Sequence, residues 1–199
     1  NAYGLGLDIE KAHGILSVDI GADTTEISIL SLGGIVVAQM LPYGGNYFDN
    51  CIRNYIRKEY NFVVGRRTAE QVKKSLVTAF PHEGVMQVAG RDVLRGLPGE
   101  LQIQAENIYP LVQDVFQIIV SSVQSMLEHT PPEISSEIIR DGIYLTGGSS
   151  WIHGLDQLIA NETGLKVNTT QNAQKTVVTG LGFLAEHPKI ASKHAVMIK

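Results

Sequence analysis

The sequence has a single cysteine, Cys51, which excludes an internal disulfide and leaves the fold to be held by its core. No apolar run reaches the roughly 18 residues that a membrane-spanning helix needs. The six histidines are scattered, and none sits at a metal-site spacing from another His, Cys or acidic residue. There is no lysine- or arginine-rich run either. The pairs Arg66-Arg67 and Lys73-Lys74 are too short for a polyanion patch and read as solvated surface. With a net charge of -4 and a pI near 5.9, nothing points to a nucleic-acid partner. Internal repeats and low-complexity tracts are missing too. The start, Asn1-Ala2-Tyr3-Gly4, carries neither an initiator Met nor a signal-peptide pattern. It opens in mid-pattern and reads as an excised fragment. What remains is ordinary for a globular protein: 44% hydrophobic and 18% charged over 199 residues, enough for one large domain or two small ones with real cores.

The patterning gives an order of elements. Gly14 to Ile20 is a short apolar run ending at Gly21, as in a buried strand, and Glu26 to Leu32 alternates polar with apolar residues. Gly33-Gly34 is a hairpin signal before a third strand, Ile35 to Met40, so the three strands form an antiparallel meander. From Asn46 to Tyr60 the period becomes helical. There Cys51 reads as a half-buried small residue, with a reactive thiol as the alternative. Thr68 is expected to open a second helix, with Gln71 completing a capping box. Val85 to Ala89 and Glu100 to Ile103 form a short strand pair.

The longest helix runs from Ala105 to His129, with Ile108, Leu111, Val112, Val115, Ile119, Val123, Met126 and Leu127 as its stripe. Pro110 is placed in its first turn, and Thr130-Pro131-Pro132 stops it. Gly142 to Thr146 is another buried strand. A helix near 153–162, a strand at 165–168 and a helical stretch opened by Gly180-Leu181-Gly182 follow, and the tail after Pro188 is expected to fray. Strands and glycine turns at both ends flank a helix-rich middle. This predicts a discontinuous sheet-bearing unit, residues 1–50 and 105–199, with a smaller inserted subdomain at 51–104.

Glycine turns are read after apolar strands at Gly21, Gly147 and Gly180. Such a turn can present backbone N–H groups to a phosphate, because glycine permits positive φ and a close approach. Each alone is most simply a turn. Together they are more pointed. Asp19-Ile-Gly-Ala-Asp-Thr-Thr-Glu26 joins an acidic strand residue to a tip rich in donors, suited to a phosphate tail with Mg²⁺ held by Asp19 directly or through water. Leu145-Thr-Gly-Gly-Ser-Ser150 offers a second close approach for a base or ribose.

These segments resemble the MreB family of bacterial actin-like proteins. Asp19 to Glu26 and Ser31-Leu-Gly-Gly-Ile35 look like the second phosphate loop and its hairpin. Gly45-Asn-Tyr-Phe-Asp49 is similar to the Gly-acid-x-x-Asp segment, and Arg67 to Lys73 to the purine-side helix. Gly90-Arg-Asp92, Gly96-Leu-Pro98, Thr130 to Glu133, Gly142 to Gly148 and Gly154-Leu-Asp156 match in order, so the likeness covers roughly residues 2 to 185.

The resemblance implies an α/β, actin-like (RNase H-like) ATPase domain II, with a mixed sheet flanked by helices and an inserted α+β subdomain. It implies ATP and Mg²⁺ as cofactors, with Asp19 facing the metal and Gly21, Ala22, Asp23 and Thr24 lining the phosphates. Gly45 would flank the ribose, Glu70 and Lys73 would border the purine, and Gly147 and Gly148 would lie against the adenosine. The implied protein is a filament-forming cytoskeletal subunit that determines rod shape by organising wall synthesis. It would be cytoplasmic beneath the cell membrane, with itself and with wall-synthesis and membrane-bound shape proteins as partners.

Two departures stand out. The family loop reads Asp-x-Gly-Gly-Gly-Thr-Thr-Glu, where this chain has Ala22 and Asp23, and Asn46 replaces a common acid. A carboxylate about 4 Å from a phosphate costs on the order of 4 kcal/mol at an effective dielectric near 20. Asp23 therefore reads as a hairpin-tip residue, an aid to Mg²⁺, or a sign of lost nucleotide use. The family's first phosphate loop and catalytic acid are not in this sequence, so negligible ATP hydrolysis by the chain alone is expected. The competing functions are a sugar kinase, for which no convincing base or sugar-binding set is visible, a chaperone-type ATPase, and a nucleotide-free structural relative.

Overall fold

Strand β1 (Ile15–Ile20) is buried along its whole length, the polar Ser17 and Asp19 included, which fits its reading as a buried strand. It lies at the centre of a five-stranded sheet in a computed structural model that describes residues 1–9 and 13–194. β2 (Thr25–Ser31) pairs antiparallel with β1, and β3 (Gly34–Leu41) pairs antiparallel with β2 at the sheet's edge, giving the expected meander. The tight turn lies one residue earlier than expected: Leu32 (φ 51°) and Gly33 (φ 73°) occupy its two left-handed positions, and Gly34 already belongs to β3. Two positive φ angles match the right-handed twist of the flanking strands.

Helix α1 (Gly45–Tyr60) follows, then β4 (Phe62–Val63) and α2 (Arg66–Leu76). No side chain caps α2, whose N-cap is Gly65, so the expected capping box at Thr68 is absent and the helix begins two residues earlier. β5 (Val85–Asp92) and β6 (Pro98–Gln104) form the expected hairpin, and β4 joins it on the β5 side as a third strand.

The long helix α3 (Ala105–Glu128) buries the expected stripe, with Leu111 and Leu127 only half-buried and Phe116 and Val120 widening it. Since the helix begins at Ala105, Pro110 lies in its second turn, beyond the residues whose N–H groups are free in any case. It thus removes one hydrogen bond, at an exposed position. The two prolines expected only to stop α3 also start α4 (Pro132–Asp141), where a proline at N1 is pre-set for a helix.

β7 (Ile143–Thr146) then pairs parallel with β1, and after a 3-10 turn (Gly148–Trp151) and α5 (Leu155–Thr163), β8 (Val167–Asn168) closes the sheet in the order β3-β2-β1-β7-β8. Gly180 lies inside α6 (Thr176–Glu186) and not in a turn after a strand. A Cβ there would sit 2.9 Å from the Gly4 nitrogen, so its task is to let the Ala2–Leu5 turn pack on the helix. The expected fraying tail contains α7 (Pro188–His194), while residues 195–199 lie outside those described.

One face of β1, carrying Leu16, Val18 and Ile20, enters the main core with α1, α3 and α5. The other face carries Ile15, which packs with Ala2 and Ile9, followed by Ser17 and Asp19. This alternation sends Asp19 away from the main core at the end of the strand. Cys51 is half-buried on α1, and burial pushes its thiol up against the opposing hydrogen bond from Tyr47. Since the thiolate is the nucleophile, disulfide-reagent labelling at pH 8 should run several-fold slower for Cys51 than for a free cysteine. Labelling at the free-cysteine rate would contradict the burial.

Candidate functional site

The parallel register of β1 and β7 sets Asp19 directly beside Thr146. Both are buried, and the Thr146 hydroxyl donates to Asp19 Oδ2 at 2.7 Å. Directly after these strands come the two glycine-bearing turns. Gly147 has φ 87°, and a Cβ on it would lie 2.4 Å from the Ile20 carbonyl oxygen, so only glycine lets the two turns lie this close.

The N–H groups of both turn glycines are used internally. Gly21 donates to Thr24 O at 2.9 Å and Gly147 to Ala173 O at 3.1 Å. Among the described residues, no carbonyl accepts from the N–H of Ala22, Asp23 or Thr24.

α1 enters at the same place. Its first N–H groups, at Gly45 and Asn46, donate to Gly21 O at 3.0 Å and Ala22 O at 2.7 Å. The turn thus does the work of a helix cap, which is why no capping side chain precedes α1. From α2, the Lys73 ammonium reaches Asp49 Oδ1 at 2.9 Å and donates to Gly45 O at 3.0 Å. A Cβ on Gly45 would lie 3.0 Å from Ser149 Oγ and 3.1 Å from Lys73 Nζ, so this glycine keeps a crowded junction open.

These parts enclose one cavity of about 1360 Å³. Asp19, Gly21, Ala22, Gly45, Glu70, Lys73, Gly147 and Gly148 all line it. Asp23 and Thr24 do not, and in this they depart from the expectation that they line the same space as Gly21 and Ala22. Glu70 is half-buried on the wall and pairs with Lys74 at 2.7 Å, a hydrogen bond that holds its carboxyl below the usual range.

The basic pairs of α2, read as solvated surface, are exposed at Arg66, Arg67 and Lys74 and half-buried at Lys73, and all four also border the cavity. Their cationic character is short in sequence but concentrated in space by one helix face and its first turn. Trp151, the only tryptophan, lines the cavity while remaining 56% exposed. In the sequence Asp49 reads only as the end of the Gly-acid-x-x-Asp segment, without a role in the site. Its signal is an acid within the apolar stripe of Phe48, Ile52 and Ile56, which requires a buried cation such as Lys73. Among the described residues, no three His, Cys, Asp or Glu side chains gather as a metal cluster. Nor is any helix among them long and apolar enough to cross a membrane.

Compared with known families, residues 1–193 match the MreB/Mbl protein family. The chain belongs to this family. It is 36% identical over 189 residues to the cell shape-determining protein Mbl of Bacillus subtilis, covering 94% of this chain and 56% of that protein. Against the cell shape-determining protein MreB of Escherichia coli the identity is 37% over 187 residues, covering 93% and 54%. A crystal structure of MreB5 of Spiroplasma citri bound to ADP superposes with a TM-score of 0.86 at 36% identity, over 98% of this chain and 60% of that one. The chain therefore spans somewhat more than half the length of the relatives it matches, and its fold is actin-like.

As a member of the MreB/Mbl family, the chain brings its two glycine turns, the start of α1 and the exposed face of α2 to one cavity. Gly180, read as a third glycine turn, is not part of it.

Proposed function

We propose that this chain supplies one wall of an adenine-nucleotide cleft in a filament-forming, cell shape-determining protein. The observation that carries the reading is convergence: the turn at Gly21–Ala22, Gly45, Gly147–Gly148 and the Lys73–Glu70 face of α2 meet at one cavity. Three of the glycines lie where added side-chain atoms would crowd the backbone or the cavity wall. That the MreB5 relative carries ADP gives the ligand class further support.

In this reading the N–H of Ala22, which lines the cavity with no carbonyl acceptor among the described residues, faces the phosphates, and Glu70 and Lys73 on α2 border the purine. Asp19, oriented by Thr146, holds Mg²⁺ directly or through water, as an oxygen ligand suits that ion. Gly45 passes the ribose, and Gly147 and Gly148 pass the adenosine. Trp151, at the cavity wall, reports on occupancy. The opposite wall would come from sequence outside this chain, so hydrolysis by the chain alone is expected to be negligible. The two separate sheets support a division into a discontinuous unit (1–50 and 105–199) and a smaller one (51–104). Family membership supports self-association into filaments, with wall-synthesis and membrane-bound shape proteins as partners beneath the cytoplasmic membrane face.

The test is a calorimetric titration of Mg-ATP and Mg-ADP into the chain, followed in parallel by Trp151 fluorescence. Saturable binding is expected, lost in Gly45→Val, where branched side-chain carbons would fill the junction with Ser149 and Lys73. No saturable signal from a chain shown to be folded by circular dichroism would defeat the reading.

A further inference from the structure

Two residues that depart from the family's loop pattern, Asp23 and Asn46, meet each other in the fold. Asn46 Nδ2 donates to Asp23 Oδ1 at 2.7 Å, and Asn46 Oδ1 accepts from Arg66 Nη2 at 3.1 Å. A side-chain amide has one donating and one accepting end. Here the donating end faces the carboxylate and the accepting end faces the guanidinium, so the two partners fix one orientation. Three elements are tied by this chain of bonds: the β1–β2 turn, the start of α1 and the start of α2. Asn46 is itself set by its backbone, whose N–H donates to Ala22 O at 2.7 Å.

The cavity lining shows where this leaves the carboxylate. Gly21 and Ala22 on one side, and Asn46 and Arg66 beyond, all line the cavity, whereas Asp23 does not. The negative charge at the tip is held aside.

We infer that Asn46, anchored by Arg66, is a latch that keeps the Asp23 carboxylate out of the phosphate end of the cleft. This rests on the nucleotide reading above. Asn46 is then a positioning residue: it acts on nucleotide affinity through Asp23 and not only through contacts of its own. With the latch intact the Ala22 N–H, on the cavity lining, faces an anion and the carboxylate does not. With the latch open, the carboxylate is free to swing toward the phosphate end of the cleft and repel the phosphates. Arg66 adds a cation at the far end of the bond chain, on the wall of the same cavity.

The experiment is a double-mutant cycle in Mg-ADP affinity, using the parent chain, Asp23→Gly, Asn46→Ala and the double variant. Asn46→Ala is expected to weaken binding about tenfold, well below the cost of a fixed contact at about 4 Å, because the freed Asp23 carboxylate is exposed and screened by solvent. Asp23→Gly should tighten binding by less than about threefold in the parent, where the carboxylate is held aside, and about tenfold in the Asn46→Ala background. Equal gains in both backgrounds, or no recovery in the double variant, would overturn the latch while leaving the cleft in place. Failure of all four chains to bind would overturn the cleft reading itself, and the latch's role with it. A second measurement is independent of nucleotide. The Asn46 side-chain amide resonances in the free chain should move on Asp23→Gly and on Arg66→Ala, and resonances unmoved by both would show that the latch does not form in solution.

Discussion

Gly147→Ala is expected to lose about 3 kcal/mol or more of unfolding free energy, and saturable nucleotide binding with it. The backbone there has φ 87°, where an L side chain is strained, and the new Cβ would meet the Ile20 carbonyl oxygen at 2.4 Å and its carbon at 2.5 Å. These are backbone atoms of the central strand, so neither can step aside by a rotamer change. Relief has to come from parting β1 and β7, which would also part Asp19 from Thr146, bonded at 2.7 Å. The neighbouring Gly148→Ala is the control, because its Cβ would meet only the flexible Gln174 side chain, at 3.5 Å and beyond. It should cost less than about 1 kcal/mol. Urea unfolding of the two variants checks both. A Gly147→Ala chain as stable as the Gly148→Ala chain would show that the sheet end yields easily and that the close approach is not needed.

Lys73→Met is expected to cost about 3–5 kcal/mol, more than any other single charge removal at the site. Its ammonium and the Asp49 carboxylate are 2.9 Å apart, with side chains only 12% and 9% exposed. Removing the cation leaves a buried carboxylate without its counter-charge, and a lost hydrogen bond at Gly45 O adds to the cost. Replacing both partners, as Lys73→Met with Asp49→Asn, should recover at least half of the loss, since the uncompensated charge is then gone. Chemical denaturation measures all three variants. Similar stabilities for the single and the double variant would mean that the cost is lost packing and not a stranded charge.

Much of this architecture was legible in the chain of residues. The mostly apolar run of Ile15–Ile20, the alternation after Thr25, the helical period through Ile52 and Ile56 and the long stripe of α3 each follow from burial on one or both faces. Errors fell where local signals compete. Leu32 takes a left-handed position because the hairpin's twist outweighs a preference worth about 1–2 kcal/mol per residue. α2 starts at Arg66 without a side-chain cap, and α4 starts on the proline that ended its predecessor's pattern. Gly180 looks like any other glycine until the helix that contacts Gly4 is seen.

The candidate site divides in the same way. The sequence by itself determined the glycine turns, the acidic end of β1 and the resemblance that joined them, because close approach and positive φ restrict the residue type at each position. Only the tertiary structure decided what those residues face. It turned the N–H groups of Gly21 and Gly147 inward, gathered the scattered cations of α2 onto one wall, buried Asp49 against Lys73, and set Asp23 aside on the amide of Asn46. The reason is physical. A residue's conformational limits are local and can be read along the chain, whereas the partner of a charge or an amide is set by which distant segments the core brings within about 3 Å.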